Sequence, residues 1–271
     1  MLAINAIIVA LIPLLCAVLY LPTASENALN LPSLKNENFL FLTAHPDDEC
    51  MFFAPTIISL LPHVQVHVLS LSTGNADGLG DIRRTELMAS LDVLGVKEGN
   101  RHVVDHPALQ DNITMSWGAN IISDILGLYV SDLDITTILT FDRAGVSGHP
   151  NHRSLPEGVK HFIETTAVQP PPKFFALISV PTSTKYVGIF APLLAKFDLS
   201  STKLLHSVEA FWGAPGLTDT MPVFVAGVKE YLTAHRAMRA HKSQLVWFRR
   251  LYVLFSRYMW VNEWHLVRLQ Q

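Results

Sequence analysis

The sequence predicts an α/β fold, a Rossmann-like, mostly parallel sheet with helices on both faces, preceded by one N-terminal transmembrane helix. Three observations carry that expectation. Short runs rich in Val, Ile, Leu and Phe alternate with longer helical stretches over residues 38–180, as in a parallel sheet whose strands are joined through helices. Two of these runs end in clusters of histidines and carboxylates, and in such folds ligands collect at the carboxyl ends of strands. The stretch from Leu2 to Leu21 is apolar apart from Asn5 and Pro13, and its length matches the hydrocarbon core of a bilayer.

Taken in order, the apolar stretch comes first. A cleaved signal peptide wants a basic leading region and a small-residue cleavage site, but no Lys or Arg precedes Lys35. An uncleaved anchor over residues 1–22 is therefore expected, then a polar linker over 23–37 and one domain over 38–271. Because every nearby cation follows the anchor, the positive-inside rule puts that domain in the cytosol. Phe39 to Leu42 reads as a buried strand and Met51 to Leu61 as a helix. Val64 to Leu71 alternates and is rich in Val, so a second strand is expected there. The glycine-bearing loop Ser72 to Gly80 leads into a helix from Asp81 to Leu94, stopped by Gly95. Val103-Val104 is a short third strand, Trp117 to Val130 a helix, and Ile135 to Phe141 a strong strand. The helix expected next tolerates Pro156 if that residue lies in its first turn. Phe174 to Val180 reads as another strand, and no element is assigned to residues 181–226.

Composition narrows the classes of function. About 250 residues beyond the anchor suit one α/β domain. Cys16 and Cys50 are the sole cysteines, which excludes a disulfide framework and agrees with a reducing compartment. The net charge of −3 is uneven: the tail from Lys229 to Gln271 carries +6 and the rest of the chain −9. A chain so acidic elsewhere is a poor nucleic-acid binder, whereas its basic tail suits an anionic lipid surface. No obligate protein partner is inferred.

The chemistry gathers at two points. After the first strand come His45, Pro46, Asp47, Asp48 and Glu49, and three adjacent acids are costly to bury unless a cation neutralises them. A divalent metal with His45 as a ligand meets that need; the plainer alternative is an acidic helix start. After the strong strand come His149, Pro150, Asn151 and His152, in a loop that Gly145 and Gly148 allow to bend tightly. Two histidines three residues apart at a helix start share a face. Both clusters fall on the same sheet edge.

These two motifs resemble the LmbE-like family of metal-dependent deacetylases. Within it the chain is similar to the PIG-L branch, whose substrate is N-acetylglucosaminyl-phosphatidylinositol. That closer likeness rests on Met51 to Pro55, Asp142 to His149, and Ser243 to Tyr252 followed by Phe255 to Met259. The resemblance implies His45, Asp48 and His152 as metal ligands, a set that suits Zn2+ and also Fe2+ or Mn2+. It implies Asp47 as general base and His149 as the group that steadies the oxyanion and protonates the leaving amine. Glu49 would support the site from behind the ligands. Arg83 and Glu86 match a family pattern that contacts the sugar or phosphate end of the substrate; the alternative is a surface ion pair worth a few tenths of a kcal/mol. Two positions depart from the family: Asn151 stands where bacterial relatives often carry Asp, and Ser147 replaces a bulky residue.

The expected activity is hydrolysis of the acetamide of N-acetylglucosaminyl-phosphatidylinositol, an early step of GPI-anchor biosynthesis at the endoplasmic reticulum membrane. Two other readings stay open, a deacetylase of another N-acetylglucosamine conjugate and a catalytically dead membrane scaffold. The run from Leu245 to Trp260 mixes aromatics with arginines. It reads as a helix in the membrane interface, against the alternative of a core helix with its arginines in water.

Overall fold

The computed structural model describes Pro13 and residues 15–25, 37–211 and 222–268. Its centre is an eight-stranded sheet in the order β1-β7-β8-β6-β5-β2-β3-β4. The strands are β1 (Thr23–Ala24), β2 (Asn38–Thr43), β3 (Gln65–Ser70), β4 (Arg101–Val103), β5 (Ile135–Phe141), β6 (Lys173–Leu177), β7 (Val223–Val225) and β8 (Val261–Leu266). The run β6-β5-β2-β3-β4 is parallel throughout. Phe39 to Leu42 of β2 and Ile138, Leu139 and Phe141 of β5 are fully buried, as continuous apolar strands covered on both faces should be.

The connections explain why helices cover both faces. From β2 the chain runs through α1 (Asp48–Phe52) and α2 (Ala54–Leu60) to β3, and then through α3 (Gly80–Leu94) to β4. After α4 (Ala119–Asp132) and β5, α5 (Pro150–Thr165) leads to β6 on the other side of β2. Right-handed crossovers stepping in opposite directions must put their helices on opposite faces. The remaining helices are α6 (Thr182–Lys185), α7 (Phe190–Phe211), α8 (Val228–Ala240) and α9 (Trp247–Phe255).

Three expectations are corrected. The sheet is mixed rather than mostly parallel, because β8 runs antiparallel to both β6 and β7, and β1 antiparallel to β7. The segment beyond Lys229 is thus no peripheral tail: Trp264 of β8 is buried against Phe53 and Phe41. Its alternation was hidden in a stretch whose arginines and aromatics had suggested lipid instead. The linker expected at 23–37 likewise begins as an edge strand, and Ser25 continues that pairing by donating its N–H to the Val223 carbonyl at 2.9 Å.

Smaller differences trace to proline. The helix expected from Met51 to Leu61 breaks at Phe53 because Pro55 has no N–H to return to Met51. The freed Met51 carbonyl accepts from the Tyr252 hydroxyl at 3.4 Å, and the next one, Phe52, from Asn262 Nδ2 at 2.7 Å. Pro156 lies beyond the first turn of α5, which starts at Pro150, so the His152 carbonyl has no intrahelical donor. The α3 helix ends as expected, with Gly95 at φ 91° returning its N–H to the Leu91 carbonyl.

Most of the expected anchor, Leu2 to Leu21, lies outside the described residues. Residues 15–20 are helical, and among the described residues no helix is long and apolar enough to cross a membrane. Lys196 of α7 caps this short helix by donating to the carbonyls of Val18 and Leu21.

Helices α4 and α5 approach closely at Gly158, where an added Cβ would lie 2.3 Å from Ile122 Cγ2. Ile122 is branched at Cβ and buried, so it cannot swing away. Gly158→Ala is expected to cost about 2–3 kcal/mol through overpacking, read as a lower urea midpoint.

Candidate active site

The order of the parallel strands reverses between β2 and β5, and their carboxyl ends open onto one crevice. Residues 44–49 leave β2 and residues 142–152 leave β5. Local geometry aims each side chain.

Asp48 folds back on its own loop, and its Oδ2 accepts from the backbone N–H groups of Ala44 at 2.9 Å and His45 at 3.0 Å. Asp47 occupies the left-handed region at φ 108°, ψ −21°, a conformation that costs a non-glycine residue of order 1 kcal/mol. Glu49 holds it there by accepting the Asp47 N–H on Oε2 at 2.9 Å. The other oxygen of Glu49 accepts from His241 Nε2 at 2.7 Å and Ser90 Oγ at 2.5 Å.

At the end of β5, Asp142 turns the chain by accepting from the N–H groups of Ala144 and Gly145, and from Ser179. Gly145 is required here: it sits at φ 63°, and a Cβ would lie 2.9 Å from that of His152. His149 caps α5 through Nδ1, which accepts the Asn151 N–H at 3.2 Å. The His152 ring stacks on Phe141 at 4.2 Å.

The hydrogen bonds place the ring protons. His45 Nε2 lies 3.0 Å from Asn151 Oδ1 and 3.2 Å from Asp111 Oδ1, both acceptors, so it carries the proton and Nδ1 keeps its lone pair. His152 has an acceptor at each ring nitrogen, the Gly145 carbonyl 3.2 Å from Nδ1 and Asp48 3.2 Å from Nε2. Burial lowers the His152 pKa but Asp48 raises it above the ordinary value, so without an ion a proton sits on Nε2. His152 Nε2 and His45 Nδ1 face each other at 3.3 Å, and Asp48 lies 3.2 Å from the first and 4.0 Å from the second. A divalent ion held here would take the place of that proton. A tetrahedral ion with bonds of about 2.0–2.2 Å separates its ligands by roughly 3.3–3.6 Å, so the donors fit a divalent metal. His149 adds a nitrogen to this group, within 4.8 Å of the other two.

Electrostatics agree. Burial lowers the His45 pKa to about 4 against the pull of Asp48, so the ring is neutral, as a ligand must be. Burial would raise Asp48, but His152 and His45 hold it well below the usual carboxylate range. Burial pushes Asp47 up, against the opposing pull of Arg249 and Arg83. His149 is lowered by burial and by His152.

The structure brings His45, Asp47, Asp48, His149, His152 and Arg83 around one cavity of about 250 Å3. Arg83 lies 3.6 Å from Asp47 and 3.2 Å from Asp111, and donates to the carbonyls of Gly74 and Pro46. Glu49 lies behind the ligands. Glu86 does not line the cavity; its carboxylate accepts from the N–H and hydroxyl of Ser243 at 2.8 and 2.6 Å.

Sequence reasoning missed three groups. Asp111 lies in the loop between β4 and α4, where no motif marks it. Arg249 of α9 pairs with Asp47, although its place among aromatics had suggested a lipid-facing role. His241 forms a fully buried pair with Glu49, nearly two hundred residues away in sequence.

Comparison with known proteins finds relatives by sequence and the same fold among solved structures. The family profile described as "PIG-L: GlcNAc-PI de-N-acetylase" matches residues 40–163. A probable N-acetylglucosaminyl-phosphatidylinositol de-N-acetylase of Schizosaccharomyces pombe is 36% identical, covering 91% of this chain and 93% of the relative. The N-acetylglucosaminyl-phosphatidylinositol de-N-acetylase of Bos taurus is 39% identical over 83% of this chain and 81% of its own length. Among solved structures, N,N'-diacetylchitobiose deacetylase from Pyrococcus horikoshii superposes with a TM-score of 0.55 at 14% identity, covering 85% of this chain and 84% of its own.

The Glu49–His241 pair sets a pH window. Burial disfavours both charges, but each partner overcomes it, lowering Glu49 and raising His241. The Glu49 contribution is present above its ordinary value of 4.5 and lost as pH falls through the lowered folded value. The His241 contribution is present below 6.5 and lost as pH rises through the raised folded value. His241→Ala is therefore expected to cost about 3–5 kcal/mol in urea denaturation near pH 6, and less above pH 8.

Proposed function

The chain belongs to the PIG-L family of GlcNAc-PI de-N-acetylases, and we propose that it works as one, with Asp47 as base and His149 as acid. The reaction hydrolyses the acetamide of N-acetylglucosaminyl-phosphatidylinositol, releasing acetate and leaving glucosaminyl-phosphatidylinositol for GPI-anchor biosynthesis. One observation carries this reading: His45 Nδ1, His152 Nε2 and Asp48 converge beside the arginine-held carboxylate of Asp47 and a third histidine.

His45, Asp48 and His152 would hold the metal, and zinc suits two nitrogens and a carboxylate, with Fe2+ or Mn2+ as alternatives. When bound, the ion would supply Lewis-acid polarisation of the acetamide oxygen and a lowered pKa for the attacking water. Asp47 takes the proton of that water. Its own carboxylate is kept off the ligand cluster by its left-handed backbone, and Arg83 and Arg249 hold its orientation. As the neutral ring His149 accepts on Nδ1 and turns Nε2 toward the cavity; it acts as acid only as imidazolium, which gives up that cap bond. From there it steadies the developing oxyanion and then protonates the amine, without which the nitrogen is a poor leaving group. Asp111 lies 3.9 Å from that Nε2 and favours its charged form. Arg83 contacts the sugar end of the substrate, and Glu86 acts through Ser243 rather than on the substrate itself.

The same reading places the protein at the endoplasmic reticulum membrane, single-pass and facing the cytosol. The apolar stretch from Leu2 to Leu21 and the late first cation, Lys35, support it. Exposed Trp247, Phe248, Leu251, Leu254 and Phe255 on α9 support contact with the bilayer, beside a cavity that Phe248 also lines.

Asp47→Asn is expected to keep its metal by elemental analysis and lose at least about 10³-fold in kcat by acetate release. His152→Ala should lose the metal itself. Normal turnover by Asp47→Asn would remove the base assignment. Faster acetate release from a soluble N-acetylglucosamine conjugate than from the glycolipid would replace the substrate.

A further inference from the structure

Lys185 at the end of α6 is anomalous among the cations of the cavity wall. It is only 8% exposed, and its Nζ donates to the Val146 carbonyl at 2.6 Å. Its Nζ also lies 5.7 Å from the centre of the Tyr186 ring, a cation–π contact, and these two partners leave ammonium protons for the cavity that Lys185 lines. The other wall cations are matched: Arg83 meets Asp47 and Asp111, and Arg249 meets Asp47 and the Gln244 side chain. Among the described residues Lys185 has no carboxylate partner. A buried, unmatched ammonium is costly, and burial lowers its pKa accordingly, so the protein bears a penalty that an incoming anion would relieve.

The surroundings indicate which anion. The ligand histidines and acids are almost fully buried, Arg249 is partly exposed, and Tyr186 and Phe248 on the same wall are about half exposed. Trp247, 73% exposed, packs edge-on against Phe248 at 5.8 Å. A buried end of acids, imidazoles and cations, Lys185 among them, thus opens onto exposed aromatic side chains. A glycosylated phosphoinositide runs the same way: amide-bearing sugar, inositol, phosphodiester, acyl chains.

We propose that Lys185, with Arg249, forms a phosphate subsite that receives the phosphodiester joining inositol to glycerol, while the acyl chains leave over Tyr186 and Phe248. This rests on the functional reading above. Phosphate oxygens accept charge-assisted hydrogen bonds from the remaining Lys185 protons. Arg249 keeps Asp47 and Gln244 as partners and adds its charge from the same cavity wall.

The test uses two soluble substrates that differ in the phosphate: N-acetylglucosaminyl-glycerophosphoinositol and phosphate-free N-acetylglucosaminyl-inositol, with acetate release by the full chain. Wild type should prefer the phosphodiester, and Lys185→Met should shrink that preference roughly 10- to 100-fold, mainly through KM. Lys185→Arg should keep most of it. An equal loss on both substrates with Lys185→Met would mean that Lys185 only holds the Val146 loop, and would overturn the subsite. Equal turnover of both substrates by wild type would overturn it too, leaving the deacetylase reading intact. If wild type hydrolysed neither these nor the glycolipid, the deacetylase reading would fall first and the subsite with it. Inorganic phosphate separates the sources: it should inhibit wild type and Lys185→Arg competitively, and Lys185→Met at least tenfold less. Inhibition unaffected by Lys185→Met would place the anion elsewhere.

Discussion

Phe39, Leu40 and Phe41 of β2 pair in parallel with Thr137, Ile138 and Leu139 of β5, and at this ladder the strand order turns back on itself. Strands joined to their sequence neighbours by crossovers stepping in opposite directions leave a gap above the turning point, because no helix packs there. Everything chemical in the molecule hangs in that gap. The ladder is also intolerant of slippage: a shift of one residue would send Phe41 and Leu139 to the wrong faces. Burial on both sides of β2 and β5 therefore does more than stabilise the core. It sets His45 against His152 to within hydrogen-bond distance, across more than a hundred residues of chain.

Three consecutive acids survive in this gap because each is neutralised from a different direction. Successive residues at a helix start project about a third of a turn apart. Asp47 therefore meets arginines from α3 and α9, Asp48 meets backbone N–H groups and imidazoles, and Glu49 meets His241 and Ser90. No partner serves two of them as its main contact. That separation would let Asp48 serve as a ligand and Asp47 stay near the substrate, while Glu49 holds the Asp47 backbone.

Much of this was legible in the sequence, and the reasons are physical. The strand β5 and the helix α3 announce themselves through continuous apolarity and a glycine stop, which are local signals. His45, Asp48 and His152 are legible because their chemistry is unusual at a strand end. Arg249, Asp111 and His241 were not legible as site residues, since an arginine among aromatics or an aspartate in a loop looks the same wherever its partner lies. Their roles depend on tertiary pairing alone. The antiparallel half of the sheet was missed for a related reason. Its strands β1, β7 and β8 are short or partly polar, and their pairing is set by the neighbour they find rather than by their own pattern.

Tyr20 ends the short N-terminal helix, and by Thr23 the chain is already paired with β7. Lys196 clamps the helix end to α7 across the same junction. Under the proposed topology, the domain would then hang from the bilayer with almost no leash. A protein on a long tether explores a hemisphere and must find the right tilt at every encounter. One mounted this rigidly keeps a constant tilt and height, so its search for a lipid-borne target reduces to drifting in a plane. The entropy of orientation would be surrendered once, when the chain folds, and not again at each turnover.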